Sequence, residues 1–210
     1  MVKFAILIDA GFAKTKLGSK EDPATADDFK RLVDRICQHP YLQNKSLYRV
    51  YYYDAPPFSK RKNRPLSGGS HNFGADPLTL HNQKLLSDLK TIDFFALRMG
   101  EVRFRGWELD HKRLPADVSA HEITADDLRP SLQQKGVDMR IGLDIASLSL
   151  KKQVETLVLV SADSDFVPPM KFARREGVQF AVVTFNHNVH SDLLEHADLS
   201  LSINIGDATS

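Results

Sequence analysis

Residues 156–184 read TLVLVSADSDFVPPMKFARREGVQFAVVT. The opening TLVLV is apolar or β-branched throughout and polar residues follow it, as a strand buried on both faces requires. Residues 168–176 carry a helical pattern, with Pro168 and Pro169 in the first turn, where a missing N–H costs little, and Gly177 as the stop. Residues 178–184 are apolar again. Strand, helix and strand joined by short connections make a crossover unit of a parallel sheet.

The same alternation runs outward from this unit. Residues 4–8, 47–53 and 94–97 are further short apolar runs, and residues 27–38, 78–91 and 137–150 have helical periodicity. The expected fold is therefore α/β: one domain over residues 1–206, with a doubly wound, mainly parallel sheet and helices on both faces. Two stretches break the rhythm. Residues 56–77 are rich in Pro, Gly, Ser and Asn and carry Lys60, Arg61, Lys62 and Arg64, which reads as a flexible basic loop. Residues 102–127 begin with an alternating segment at 102–107 and turn polar, which reads as a hairpin or irregular insertion.

The totals set outer limits. A chain of 210 residues, 42% of them hydrophobic, has enough apolar surface for one sizeable core. Lys and Arg number 28 against 27 Asp and Glu, so no global field selects nucleic acid or a membrane, and any basic surface must be local. The lone Cys37 has no partner for a disulfide or a zinc cluster, which fits a reducing compartment, and the cytoplasm is the expected location. The apolar run at 4–8 is cut by Asp9 too soon for a signal peptide or a span, so no membrane association is expected. Nothing in the sequence decides for or against a homo-oligomer.

In open parallel sheets, ligands bind beyond the carboxyl ends of the strands. Asp9 and Asp54 close the first two apolar runs, and Ser161, Asp163, Ser164 and Asp165 follow the run ending at Val160. In the helix at 137–150, Asp138 shares a face with Ile141, Gly142, Ile145 and Leu148, so it is expected to point into the fold. Gly142 is expected where a strand backbone comes close. Asp144, about 120° round the helix from Asp138 and four residues after Arg140, reads as an exposed ion pair with Arg140 at least as well as a catalytic residue, and is expected around the site rather than in it. Each aspartate alone reads as a cap or turn residue. Asp9, Asp138 and Asp163 together read as a site, because carboxylates held close are costly to keep ionised without a cation. A hard ion such as Mg2+ or Mn2+ takes oxygen ligands and keeps several waters, so a few carboxylates suffice.

The segments FAILIDAGF, RVYYYDAPP, KGVDMRIGLDIASL and LVLVSADSDFVPPMKFARREGVQFAVV, in this order over nearly the whole chain, resemble the NYN domain, or LabA-like, family of PIN-like nucleases. The resemblance implies a PIN-like doubly wound fold and a Mg2+- or Mn2+-dependent ribonuclease site. It places that site at Asp9, Asp138 and Asp163 as metal ligands and catalytic residues, with Asp165 as a further catalytic residue. Family members usually carry an asparagine shortly after the first-strand aspartate; here Ala10, Gly11, Phe12 and Ala13 follow Asp9. Ser161 or Ser164 would have to replace its hydrogen bond.

The expected reaction is metal-assisted hydrolysis of phosphodiester bonds in single-stranded RNA, with carboxylates holding the metal, a metal-activated water attacking phosphorus and no side-chain nucleophile. Lys135, Ser161 and Ser164 beside the acids, and Lys60, Arg61, Lys62 and Arg64 on the loop, are the candidate substrate-binding residues; Arg103 and Arg105 could add charge, and Tyr52, Phe73 and Trp107 could stack bases. The alternative is a catalytically weak or inactive NYN-type module that binds RNA or a protein, with the acids kept as caps. A phosphatase of the aspartyl-phosphate type would need a second acid two residues after Asp9, where Gly11 stands. Of the eight histidines, His187 and His190 are close in sequence but have no cysteine nearby, and read as surface residues rather than a zinc site.

Overall fold

The computed structural model describes residues 1–114, 120–185 and 191–204. Six strands form one parallel sheet: β1 (Lys3–Asp9), β2 (Ser46–Asp54), β5 (Phe95–Met99), β8 (Thr156–Val160), β9 (Gln179–Val183) and β10 (Leu199–Ser200), in the order β10-β9-β8-β1-β2-β5. The first strand lies inside the sheet, with Ile8 beside Tyr52 of β2 on one side and Val160 of β8 on the other. The chain first winds outward through β2 and β5, then returns to the opposite side of β1 and continues through β8 and β9. The reversal puts a crevice at the carboxyl ends of β1 and β8.

Because both faces of the sheet are covered, its inner strands are unbroken apolar runs. Phe4, Ile6 and Ile8 pack toward α1 (Ala10–Leu17), α2 (Ala26–Cys37) and α3 (Pro77–Leu89), in a core that includes Phe29, Leu32, Ile36, Leu85 and Leu89. Ala5 and Leu7 face α4 (Val137–Leu150) and α5 (Val167–Arg175), whose Ile141, Ile145, Leu148, Met170 and Ala173 are buried there. A short α6 (Ser191–Glu195) adds Leu193 to the second core. The mainly parallel α/β sheet with helices on both faces is thus present, and the two prolines stand in the first turn of α5. Helix α1 has no counterpart in the sequence reading. It is short, and its fully buried side chains are only Ala10 and Ala13, too small a stripe to register as periodicity.

The stretch read as a flexible basic loop contains an ordered hairpin, β3 (Arg61–Asn63) with β4 (Ser70–Asn72). The stretch at 102–127 supplies part of a second, longer hairpin, in which β6 (Glu101–Leu109) pairs with β7 (Leu128–Lys135) around a bulge next to Gly106. Aromatic side chains join the two. Phe58 lies 5.2 Å from Phe73 and 5.6 Å from Phe104, Phe104 lies 5.8 Å from Trp107, and the Trp107 indole N–H donates to the Asn63 carbonyl at 2.9 Å. That cluster gives the hairpins a small apolar contact of their own, outside the two cores of the sheet. Among the described residues no helix is long and apolar enough to cross a membrane.

Candidate functional site

Asp9 ends β1 and is the N-cap of α1: its Oδ1 accepts from the amides of Gly11 at 3.0 Å and Phe12 at 3.5 Å. Its Oδ2 accepts from the hydroxyl of Ser161, at 3.0 Å. Ser161 is fully buried at the end of β8, and the same hydroxyl oxygen accepts from the Asp163 amide at 3.2 Å. One serine therefore ties the end of β1 to the loop after β8 and supplies a hydrogen bond to Asp9. Asp163 in turn caps the single 3-10 turn Ser164–Phe166, its Oδ1 accepting from the Asp165 amide at 2.9 Å. Asp163, Ser164 and Asp165 are all exposed.

Asp138 reaches the same mouth from the other side. It stands in the first turn of α4, immediately beyond Gly136, whose φ of 76° lets β7 turn into the helix without a side-chain clash. Ile141, Ile145 and Leu148 are buried as expected, but Asp138 itself is exposed at the helix end rather than buried on their stripe. Burial raises the Asp9 carboxyl above its ordinary value against the pull of its hydrogen bonds, and the Asp138 charge adds to the rise. Asp138 is raised by partial desolvation and then by the charges of Asp163 and Asp165. Asp138 thus stands within electrostatic reach of Asp9 on one side and of Asp163 and Asp165 on the other.

The four acids do not close on a single point. Among the described residues no three His, Cys, Asp or Glu side chains lie together so as to hold a metal ion. Both oxygens of Asp9 and one of Asp163 instead accept from backbone amides and Ser161. Asp9, Asp138 and Asp163 are thus not gathered as a preformed Mg2+ or Mn2+ site among the described residues. His187 and His190 lie outside the described residues.

Other acids are used elsewhere. Asp54, at the end of β2, is buried and accepts from Lys14 at 2.9 Å, from the Tyr52 hydroxyl at 3.1 Å and from the Ala55 amide at 2.8 Å. Asp144 is not in an exposed pair with Arg140. It is buried, and it accepts from Arg98 through both oxygens and from the Tyr53 hydroxyl at 2.9 Å, while Arg140 donates to the Gly136 carbonyl. Nor does a backbone approach Gly142, around which there is open space. The sequence offered no signal for either buried pair, since Lys14 and Arg98 are far from their acids along the chain and meet them only through the sheet.

Of the cations, Lys60 and Arg61 are exposed, Lys62 sits 5.2 Å over the Phe104 ring, and Arg64 lies over Trp107 and 3.7 Å from Asp126. Arg103 pairs with Glu101 and Arg105 bonds to Gln133. Lys135 is half-buried at the end of β7, one residue before Gly136, so the long hairpin leads directly into the acidic mouth. Tyr52 and Phe73 are buried and offer no ring face to a base; Trp107 is half-buried among Phe73, Phe104 and Arg64.

The NYN domain profile matches residues 3–204, nearly the whole chain, and its extent coincides with the sheet, the helices and both hairpins. The chain belongs to the NYN domain family. A search of curated proteins finds no match. Among solved structures, the chain is similar to a protein of unknown function from Vibrio parahaemolyticus. The identity is 15%, with 97% of this chain and 93% of that one covered at a TM-score of 0.52, a likeness of fold. Membership in the NYN family implies a nuclease-type domain and a general association with nucleic acids.

Proposed function

We propose that this NYN domain binds single-stranded RNA and that its acidic mouth is weakly active or inactive in hydrolysis. The observation that carries this reading is the commitment of Asp9 and Asp163 to amides and Ser161, with no three acids gathered for a metal among the described residues. Support for RNA comes from the family, from Lys135 on the long hairpin that leads into the mouth, and from the cations Lys60, Arg61, Lys62 and Arg64 in and beside the short hairpin packed against it. Phosphate contacts of this kind bind without sequence preference and weaken with salt.

A second reading is a Mg2+- or Mn2+-dependent endoribonuclease acting at Asp9, Asp138, Asp163 and Asp165. One observation favours it: Asp138 is raised by partial desolvation and then by the neighbouring Asp163 and Asp165, whose repulsion a bound cation would relieve. One experiment separates the two. Labelled single-stranded RNA is titrated with the purified protein at low and moderate salt, then incubated with Mn2+ beside Asp9→Asn and Asp163→Asn. Salt-sensitive binding, with cleavage no faster in the native protein than in either variant, is the expected result. Manganese-dependent cleavage lost in both folded variants would establish the nuclease instead, and absence of binding at low salt would sink the RNA assignment.

A further inference from the structure

Between α1, the loop that follows it and the start of α3 lies a pocket of about 440 Å³, within the range of sites that hold small organic ligands. It opens at the carboxyl ends of β1 and β2, on the opposite side of the Asp9 turn from α4. Gly11 connects the two places: it lines the pocket, and a Cβ built on it would come within 3.3 Å of Asp9 Oδ1.

The lining divides by chemistry. Leu78 is 59% exposed, and with Pro23 and Ala24 it gives the lining its aliphatic part. Lys14, Lys20 and Asn82 supply polar groups. Lys14 is held by Asp54 at 2.9 Å and lies 3.4 Å from Asn82 Oδ1, so two of its three N–H bonds are placed and one donor is left. Lys20 is exposed and has no ion pair among the described residues. His81 points Nε2 at the Ala24 carbonyl, 2.9 Å away, which makes that nitrogen the donor and leaves Nδ1 as the ring's second polar atom.

We infer that this pocket binds one nucleotide: the base against Leu78 and Pro23, the phosphate toward Lys14 and Lys20. The inference rests on the nucleic-acid reading above and deepens it, since a strand crossing the acidic mouth would place its neighbouring residue here. An aliphatic wall, two ammonium groups and separate donor and acceptor atoms match a nucleotide's flat base and anionic phosphate. A purely apolar or purely anionic ligand would leave one half of the lining unused.

The test uses the whole chain with two probes, uridine or adenosine 5′-monophosphate and a short single-stranded RNA. Leu78→Glu places a charge against the aliphatic wall from an exposed position and so should fold normally, which circular dichroism checks; Lys20→Glu is a second, independent change. Binding of a monophosphate to the native protein, weakened tenfold or more by both substitutions, supports the inference. Binding of the RNA alone, weakened to the same extent by both, supports it with a strand residue as the occupant. If RNA binds and neither folded variant alters its affinity, the pocket assignment falls while the RNA reading stands. If a monophosphate binds in the pocket and RNA does not bind at all, the reverse holds; if neither probe binds, both fall.

Discussion

At the residue scale, the acids of this domain have two kinds of environment. Asp9 and Asp138 titrate above their ordinary value, through desolvation first and neighbouring carboxylates second. The native state therefore holds those protons more tightly than the unfolded chain does. The resulting penalty is absent below the ordinary carboxylate pKa, and grows as the pH rises through that value to the raised native one. Asp138→Asn removes this penalty without changing shape. The variant should melt at a higher temperature than the native protein at pH 7, with the difference disappearing toward pH 3; an equal or lower midpoint at pH 7 would show that Asp138 is not repelled. Asp144 is the opposite case, a buried carboxylate whose partners are built in. Removing one partner of a buried pair typically costs about 3–5 kcal/mol, and Asp144→Ala should fall toward the lower end because the Arg98 side chain keeps 45% of its surface exposed. Arg140→Ala, which loses only a bond to the Gly136 carbonyl, should leave urea midpoints nearly unchanged. The sequence placed Asp9, Asp138, Asp163 and Asp165 at the ends of elements, and the structure puts them there. It was silent on what Asp54 does and paired Asp144 with the wrong arginine, because their partners sit on other elements and no local pattern names a partner brought by tertiary packing.

At the scale of elements, the runs and periodicities gave five of the six strands of the sheet, all but the two-residue β10, and the larger helices to within a few residues, because burial on both faces leaves a strong apolar signature. What they missed has weak signatures. Helix α1 buries only alanines completely, and the 56–77 stretch owes its hairpin to aromatic contacts with a segment far along the chain. The joint that carries Asp138 rests on two glycines. Gly136 adopts a left-handed conformation, and a Cβ on Gly100 would come within 2.5 Å of the Lys135 carbonyl just before it. For a residue with a side chain, the left-handed conformation costs roughly 1–2 kcal/mol. Gly136→Ala should lower stability by about that amount and, by shifting the first turn of α4, weaken RNA binding beyond what the stability loss explains. Chemical denaturation and binding, measured on the same sample, check both halves; a variant as stable as the native protein would remove the strain from the account.

At the scale of the whole molecule, β1 joins two cores that lie on opposite faces of one sheet. Ile6 belongs to one and Leu7 to the other, and both are fully buried. Truncating a buried Leu or Ile to Ala costs about 2–5 kcal/mol. Ile6→Ala and Leu7→Ala should each lower the same single unfolding transition by an amount in that range, whether followed by fluorescence or by circular dichroism. Two separated transitions in either variant would mean that the faces unfold as independent units. The strand order carries a further implication, for the time at which the chain acquires its chemistry. Ile8 pairs with Val160, and Ser161 is the residue that holds Asp9. During synthesis this contact cannot form until the ribosome has released the segment after residue 160. While the protein is being made, its first aspartate therefore exists long before the serine that will hold it.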